Sequence, residues 1–393
     1  MAGRPVLLDN ILRPMWKCLR FSGLHHGFLP LSEERRLVHI LRRSLTVLIQ
    51  ALVSGLGVFQ LVQLVIAIPN RKSIADVSLN VVISTYCLMA IVSMHQFYAQ
   101  RDQLVQFFRD WRQVETSFFN CRNRGRVTKV ARVLNCIFLV LTVSLTPLIV
   151  MLNINAPNDP IFFSHPRLFC GRFRVHFLVL IYGVAFHFTS LFFNIGEVLP
   201  SIFFFQAGCM IENLVLELEQ VNCSTSLGNS SWCHSRSENH YQLIWKRYES
   251  IQQLVKRANR LFGLTLIANQ FGYICTTCLY IYLMIITDVN DGFQSVIVVN
   301  ILLFVTRTLG FNWLLSHLYL SGGELRGAVA ASLAARWRLL SLDHRNLLTS
   351  FLVRLDKGDL AARPLNLYTI QPANLLSLLT LHISYVIVLL QSS

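Results

Sequence analysis

Charged side chains are scarce in this sequence: Asp, Glu, Lys and Arg make up 14% of its 393 residues, against about 25% in soluble domains. Acidic residues are the scarcer sign, 20 against 35 Lys and Arg, which leaves a formal net charge of +15. The shortage of charge, with 53% apolar residues and a mean hydropathy of +0.49, excludes an ordinary soluble domain and points to an integral membrane protein. A basic surplus of this size suits a nucleic-acid partner, but basic residues at the ends of apolar runs account for it here. The expected partner is the lipid membrane, with no nucleic acid.

Other absences narrow the reading. The chain has ten cysteines but no paired spacing among them. The run "CTTC", Cys275 to Cys278, spells a redox or zinc half-motif inside an apolar stretch that disfavours thiolates, and no second pair accompanies it. It reads as small packing residues, and neither a metal nor a cofactor is expected. Clustered His, Asp or Glu at a membrane face, which an enzyme would need, is missing too; His25–His26 is an isolated pair in a basic stretch. No catalytic residue is assigned. No sequence period recurs, which excludes a repeat array and leaves little of the inverted repeats of a secondary transporter. A cleavable leader is not expected, because residues 1–43 are broken by charges and the first apolar run is already long enough to span.

What is present is a set of long apolar runs. Seven approach the roughly 20 residues that a crossing helix needs: 44–68, 78–98, 130–152, 175–205, 261–286, 294–318 and 373–391. The expected fold is an all-α integral membrane protein of seven transmembrane helices. Its parts are a segment 1–43, spans 1–4 over 44–205, a loop 206–260, spans 5–6 over 261–318, a segment 319–372, and span 7 over 373–393.

Charge gives the direction. Of the 35 Lys and Arg, 29 fall in 1–43, 99–132, 206–260 and 319–372, five fall in the opposite connections, and Arg307 lies inside a span. Short loops of this kind obey the positive-inside bias, so the N-terminus is expected in the cytoplasm and the C-terminus outside. That argues against a G-protein-coupled receptor. Two glycosylation triplets, at Asn222 and Asn229, fall in a loop assigned to the cytoplasm and are expected to be unused.

Apolar stripes cross the inner segments. Ile244, Tyr248, Ile251, Val255, Ala258 and Phe262 step by three and four along one helix face. Ile211, Leu214, Leu218 and Val221 do the same, as do Leu104, Phe108, Trp111 and Phe118. They suit helices prolonged below the membrane and packed as an anchor bundle; the alternative is basic helices lying flat on anionic lipid.

The last run carries polar groups at intervals. Ser377, Ser384 and Gln391 are seven apart, with Asn374, Leu381 and Val388 interleaved, so they share one helix face. An unpaired amide in hydrocarbon costs several kcal/mol. Four such helices around an axis would form a pore; otherwise Gln391 reaches the outer headgroups and the serines are packing residues.

The spelling adds to this. "SYVIVLLQSS", Ser384 to Ser393, resembles the C-terminal signature of insect gustatory receptors: threonine, tyrosine, five apolar positions, glutamine, phenylalanine. "RPLNLYTIQPANLLSLL", Arg363 to Leu379, is similar to that family's approach to its last helix. Ser384 stands in place of threonine and Ser392 in place of phenylalanine. The resemblance implies a ligand-gated, non-selective cation channel built as a homo- or hetero-tetramer of related subunits, in the plasma membrane of chemosensory dendrites. It also implies that the last helices line the pore. Carried onto this chain, Val388 would form the apolar constriction, Gln391 would lie just outside it, and Tyr385 would pack the pore helix.

The outer halves of the spans then hold the candidate ligand-binding residues, an aromatic set with polar handles. They are Thr85, Tyr86, Thr146, Tyr182, Phe186, His187, Thr277, Tyr280 and Asn300. Arg307 must face protein or water; Glu197 is its candidate partner, at a different expected depth. The leading expectation is a gustatory receptor subunit that detects a small-molecule tastant. The alternatives are an odorant-type receptor of the same superfamily and a multi-span secondary transporter.

Overall fold

The computed structural model describes residues 36–67, 74–118, 124–155, 172–226, 231–286, 291–338, 340–355 and 360–391. Every regular element among the described residues is a helix. In chain order these are α1 (Arg36–Ala67), α2 (Ile74–Ala99), α3 (Arg101–Ser117), α4 (Arg124–Asn155), α5 (Arg172–Ser226), α6 (Ser231–Ile286), α7 (Asp291–Arg336), α8 (Leu342–Leu355), a short 3₁₀ turn (Pro364–Asn366) and α9 (Pro372–Gln391).

Helix α5 is the axis of the fold. It runs 55 residues and packs against α1, α2, α4, α6 and α7. A helix that is apolar all round has to be buried, and α5 is: Phe192, Phe193, Ile195, Val198, Phe203, Phe204 and Phe205 each expose 1% or less. Pro200 lies inside the helix without ending it. At Gly196 a Cβ would sit 2.4 Å from Ser93 Oγ and 2.8 Å from Thr265 Cγ2, so α2, α5 and α6 meet there at a distance only glycine permits. The Gln96 side chain fastens the same junction. Its Oε1 accepts from the Thr265 amide at 2.9 Å, and its Nε2 donates to the Leu261 carbonyl.

Among the described residues, five helices are long and apolar enough to cross a membrane: Ser44–Val65, Asn80–Ala99, Ile181–Val221, His240–Ile285 and Ile297–Ala335. The expected third run lies within α4, and the expected seventh forms α9, a shorter apolar helix over Pro372–Val388. On α1, Val47, Leu48, Val58, Leu61, Val62 and Val65 are exposed along the outward face, as a surface against lipid requires.

The segments expected between spans are largely helix as well. α5 continues to Ser226, α6 begins at Ser231, and α7 continues to Arg336, so these three helices extend well past a bilayer's thickness. The three apolar stripes are buried from end to end. Phe107, Trp111, Phe203 and Phe262 meet ring to ring, with Trp111 edge-on to Phe203 at 4.7 Å between centroids. Tyr248 packs on Phe351 of α8 at 5.0 Å. Ion pairs rim the bundle at Arg247–Glu217 (2.7 Å), Arg354–Glu249 (2.5 Å) and Arg257–Asp110. The stripes therefore pack against one another within the chain, and the flat-on-lipid alternative does not describe them.

This packing predicts where stability resides. Trp111→Ala should cost about 3–5 kcal/mol and visibly lower the melting temperature of the solubilised chain in a size-exclusion thermostability assay. Val62→Ala, on the outward face, should stay within about 0.5 kcal/mol of the parent.

Candidate functional site

One cation, one carboxylate and a wall of rings make the most organised polar centre inside the membrane region. Asn194 and Glu197 are three residues apart on α5 and so share a face. Arg307 reaches them from α7, its Nε 3.0 Å from Glu197 Oε2 and its Nη2 2.7 Å from Asn194 Oδ1. Nη2 also donates to Glu197 Oε2, and the Tyr273 hydroxyl of α6 donates to Glu197 Oε1. The guanidinium lies over the Phe193 ring at 4.7 Å and the Tyr273 ring at 5.8 Å. Arg307 and Glu197 are 8% and 3% exposed, so water does little of the solvation; the partners do it. The pairing named from sequence forms, and the two residues meet at one level rather than at different depths.

Rings extend from this floor along α5. Phe193 contacts Tyr86 of α2 at 4.6 Å between centroids; Tyr86 stacks on Phe186 at 5.5 Å, and Phe186 on Tyr182 at 6.3 Å. Gln60 of α1 donates from Nε2 to the Tyr182 hydroxyl at 3.1 Å. On the other side Tyr273 meets Phe304 at 5.6 Å, and Phe304 meets Tyr280 at 6.1 Å. Tyr273, Thr277 and Tyr280 follow helical spacing on α6, so the Thr277 hydroxyl belongs to the same face. Thr277 Oγ1 and Gln60 Oε1 are buried and have no hydrogen-bond partner among the described residues. Buried polar atoms left without a partner mark where a ligand group can be received.

Of the candidates named from sequence, Tyr86, Tyr182, Phe186, Thr277 and Tyr280 converge here. Asn300 lies on α7 one turn before Phe304. Thr85 is spent locally, its hydroxyl donating to the Val81 carbonyl at 2.8 Å, and His187 stands edge-on to Phe188 at 6.0 Å. The Thr146 and Asn222 side chains and the whole of Asn229 lie outside the described residues. Sequence reasoning missed Gln60, Phe193, Tyr273 and Phe304. Gln60 was the findable one, an amide in the middle of an apolar run.

The named pore residues lie on α9, which rests against α6 and α7. His382 is buried on the inward side, where its carbonyl accepts from Cys278 Sγ at 3.7 Å. Tyr385 and Val388 are 50% and 59% exposed, and Ser384 and Gln391 are exposed with them. The chain does not cover the face that the sequence marked.

The approach to α9 is clamped to α6. Asn259 Nδ2 donates to the Ala361 carbonyl at 2.9 Å, and Asn259 Oδ1 accepts from the Arg363 amide at 2.7 Å. Leu365 and Asn366 take left-handed backbone angles, φ 48° and 59°, directly over Gly263. Tyr368 then donates to Gln270 Oε1, while Gln270 Nε2 donates to Asn312 Oδ1 of α7 at 2.7 Å. Removing one member of a buried ion pair strands the other, at a cost of about 3–5 kcal/mol. Arg307→Met and Glu197→Gln should therefore each lower thermostability by more than the double variant does, a non-additivity that a double-mutant cycle measures.

Comparison with known proteins agrees with this architecture. The described fold is similar to the solved structure of the insect olfactory receptor OR5 from Machilis hrabei in complex with eugenol. The TM-score is 0.73 at 17% sequence identity, covering 98% of this chain and 99% of that one. A second structure of the same receptor matches with a TM-score of 0.70, 17% identity and the same coverage. A search of curated protein sequences finds no match. The profile of the 7tm chemosensory receptors matches residues 12–393, and the chain therefore belongs to the 7tm chemosensory receptor family.

Proposed function

We propose that this chain is a gustatory receptor subunit: a ligand-gated, non-selective cation channel that binds a small-molecule tastant among α2, α5, α6 and α7. The observation that carries the reading is the ring-lined centre above the Glu197–Arg307 pair, next to a final helix that the chain leaves uncovered. The terminal spelling from Ser384 onward supports taste over smell. The basic loops support a cytoplasmic N-terminus, an inner anchor bundle from the lower parts of α3, α5, α6 and α8, and an outward C-terminus. The receptor would sit in the plasma membrane of a sensory dendrite as a homo- or hetero-tetramer.

The chemistry of the centre indicates the ligand class. Rings at Tyr86, Phe186, Phe193 and Phe304 suit a neutral, flat or bulky apolar body. Gln60 Oε1 is an acceptor awaiting a donor, and Thr277 Oγ1 can give or take a hydrogen bond. A small molecule with one or two hydroxyls fits that set better than an ion, because the site's own cation is already answered by Glu197.

Movement then has a short route to the pore. A ligand that displaces α6 or α7 acts on the Gln270–Asn312 bridge and the Asn259 clamp, both of which hold the lead-in to α9. A ring of Val388 side chains would close the axis by dewetting, and a ring of neutral Gln391 amides would discriminate weakly among cations.

Recordings in cells lacking native channels, alone and with related subunits, test this. Tyr86→Ala should raise the half-maximal ligand concentration about tenfold, the loss of roughly 1.4 kcal/mol of ring contact. Gln391→Glu should shift the reversal potential toward that of Ca²⁺. Stoichiometric uptake without unitary current steps would favour the transporter alternative and sink the channel.

A further inference from the structure

Below the ring-lined centre, α5 and α7 approach closely a second time. At Gly208 a Cβ would lie 2.9 Å from His317 Cδ2 and 3.2 Å from the Leu318 amide nitrogen. The lack of a side chain there lets His317 reach across to α5. Phe205 stacks on its ring at 4.8 Å. Cys209 and Glu212 are three apart on α5 and turn the same way. Their ligand atoms and that of His317 all lie within 4.8 Å of one another.

The distances suit a shared cation. Cys209 Sγ is 3.7 Å from His317 Nε2, and Glu212 Oε1 is 3.3 Å from that same nitrogen. Metal–ligand lengths for tetrahedral zinc put sulfur and nitrogen about 3.5 Å apart and nitrogen and oxygen about 3.3 Å apart. Nε2 holds either one proton or one lone pair, and both a thiol and a carboxylate address it. A dication would take the lone pair, the thiolate and the carboxylate together.

We propose that Cys209, Glu212 and His317 form a binding site for a divalent transition metal of the zinc type, which ties α5 to α7. Cys209 supplies a thiolate, Glu212 a carboxylate and His317 a neutral imidazole, and the two negative charges balance the ion. Loading releases the thiol proton to solvent. Arg126 guards the entrance: its Nη1 is 3.2 Å and 3.4 Å from the two Glu212 oxygens, and its side chain is 46% exposed. Metal and Arg126 therefore compete for Glu212, and a water completes the tetrahedron once the metal is bound.

Co²⁺ added to the purified full-length chain, carrying no histidine tag, tests the site. One equivalent should bind with the d–d absorption of a tetrahedral ion and a thiolate-to-cobalt charge-transfer band, and Zn²⁺ should bleach both. Cys209→Ser should abolish the charge-transfer band, and Glu212→Gln should weaken binding at least tenfold. Arg126→Ala should strengthen it, where a plain ion-pair network would gain nothing. Cys136→Ser, which removes an exposed thiol elsewhere, should change neither spectrum nor affinity. Should Cys209→Ser fail to elute as the parent does, the near-isosteric Glu212→Gln and the exposed Arg126→Ala still decide the matter. Absence of the thiolate band from the parent, its persistence in Cys209→Ser, or equal affinity in all variants overturns the proposal.

Discussion

A guanidinium in the middle of an apolar helix constrains everything around it. Arg307 is too far from either end of α7 to reach water along its stem, so its charge has to be met inside the protein. Glu197 meets it, Asn194 takes a remaining donor, and Tyr273 fills the other carboxylate oxygen. Three helices are thereby fixed in register by one polar knot. Sealing that knot needs large rings, and Phe193 and Tyr273 lie against the guanidinium on α5 and α6. The ring-lined centre is in part the cladding of the ion pair. A ligand bound there, as proposed above, would touch the side chains that hold the registration of α5, α6 and α7.

The same helices would carry such a disturbance along their length. α5, α6 and α7 run without a break from the ring-lined centre into the anchor bundle. There the aromatic packing around Trp111 resists deformation, since close-packed cores transmit strain rather than absorb it. The short connection before α9 is tied to α6 at Asn259 and Tyr368 and contains two residues in left-handed conformation. Under the proposed function, movement of α6 or α7 would reach α9 through these ties.

Much of this was legible in the sequence, and the reasons it was are physical. The apolar stripes through Tyr248 and Trp111 obey helical periodicity because helices bury one face, so pattern and packing coincide. The Arg307–Glu197 pair was nameable because an unpaired charge at that depth is untenable and few acids were at hand. Their common level was not, since span boundaries set from hydropathy ignore how far α5 continues past the membrane. Tyr273 and Phe193 looked like any other aromatic in a chain with 27 phenylalanines. The Cys209, Glu212 and His317 cluster was invisible for another reason: its members come from two helices more than 100 residues apart, and no spacing rule spans that distance. The Thr85 hydroxyl donates to the Val81 carbonyl at 2.8 Å, because a threonine hydroxyl on a helix has a ready acceptor in its own preceding turn.

The same local bonding operates on α9. The polar stripe on this helix implied water on one side, on the ground that polar groups in hydrocarbon need partners. Ser384 donates to the Thr380 carbonyl at 2.9 Å and Thr380 to the Leu376 carbonyl at 3.0 Å, so both hydroxyls are satisfied without leaving the helix. Asn374 likewise donates to the Thr369 carbonyl at 2.7 Å. These groups can face lipid, protein or water at little cost, and they do not by themselves require a pore. The demand falls on what is left: the Gln391 amide, and a helix with Leu376, Ile383, Tyr385, Ile387 and Val388 all exposed around it. One face of α9 is covered by α6 and α7, and in the tetramer proposed above the amide at its end would meet its own copies around a wet axis. A helix whose hydroxyls carry their own partners could rotate or tilt between a closed and an open arrangement without stranding those hydroxyls in either, which is a property a gate requires.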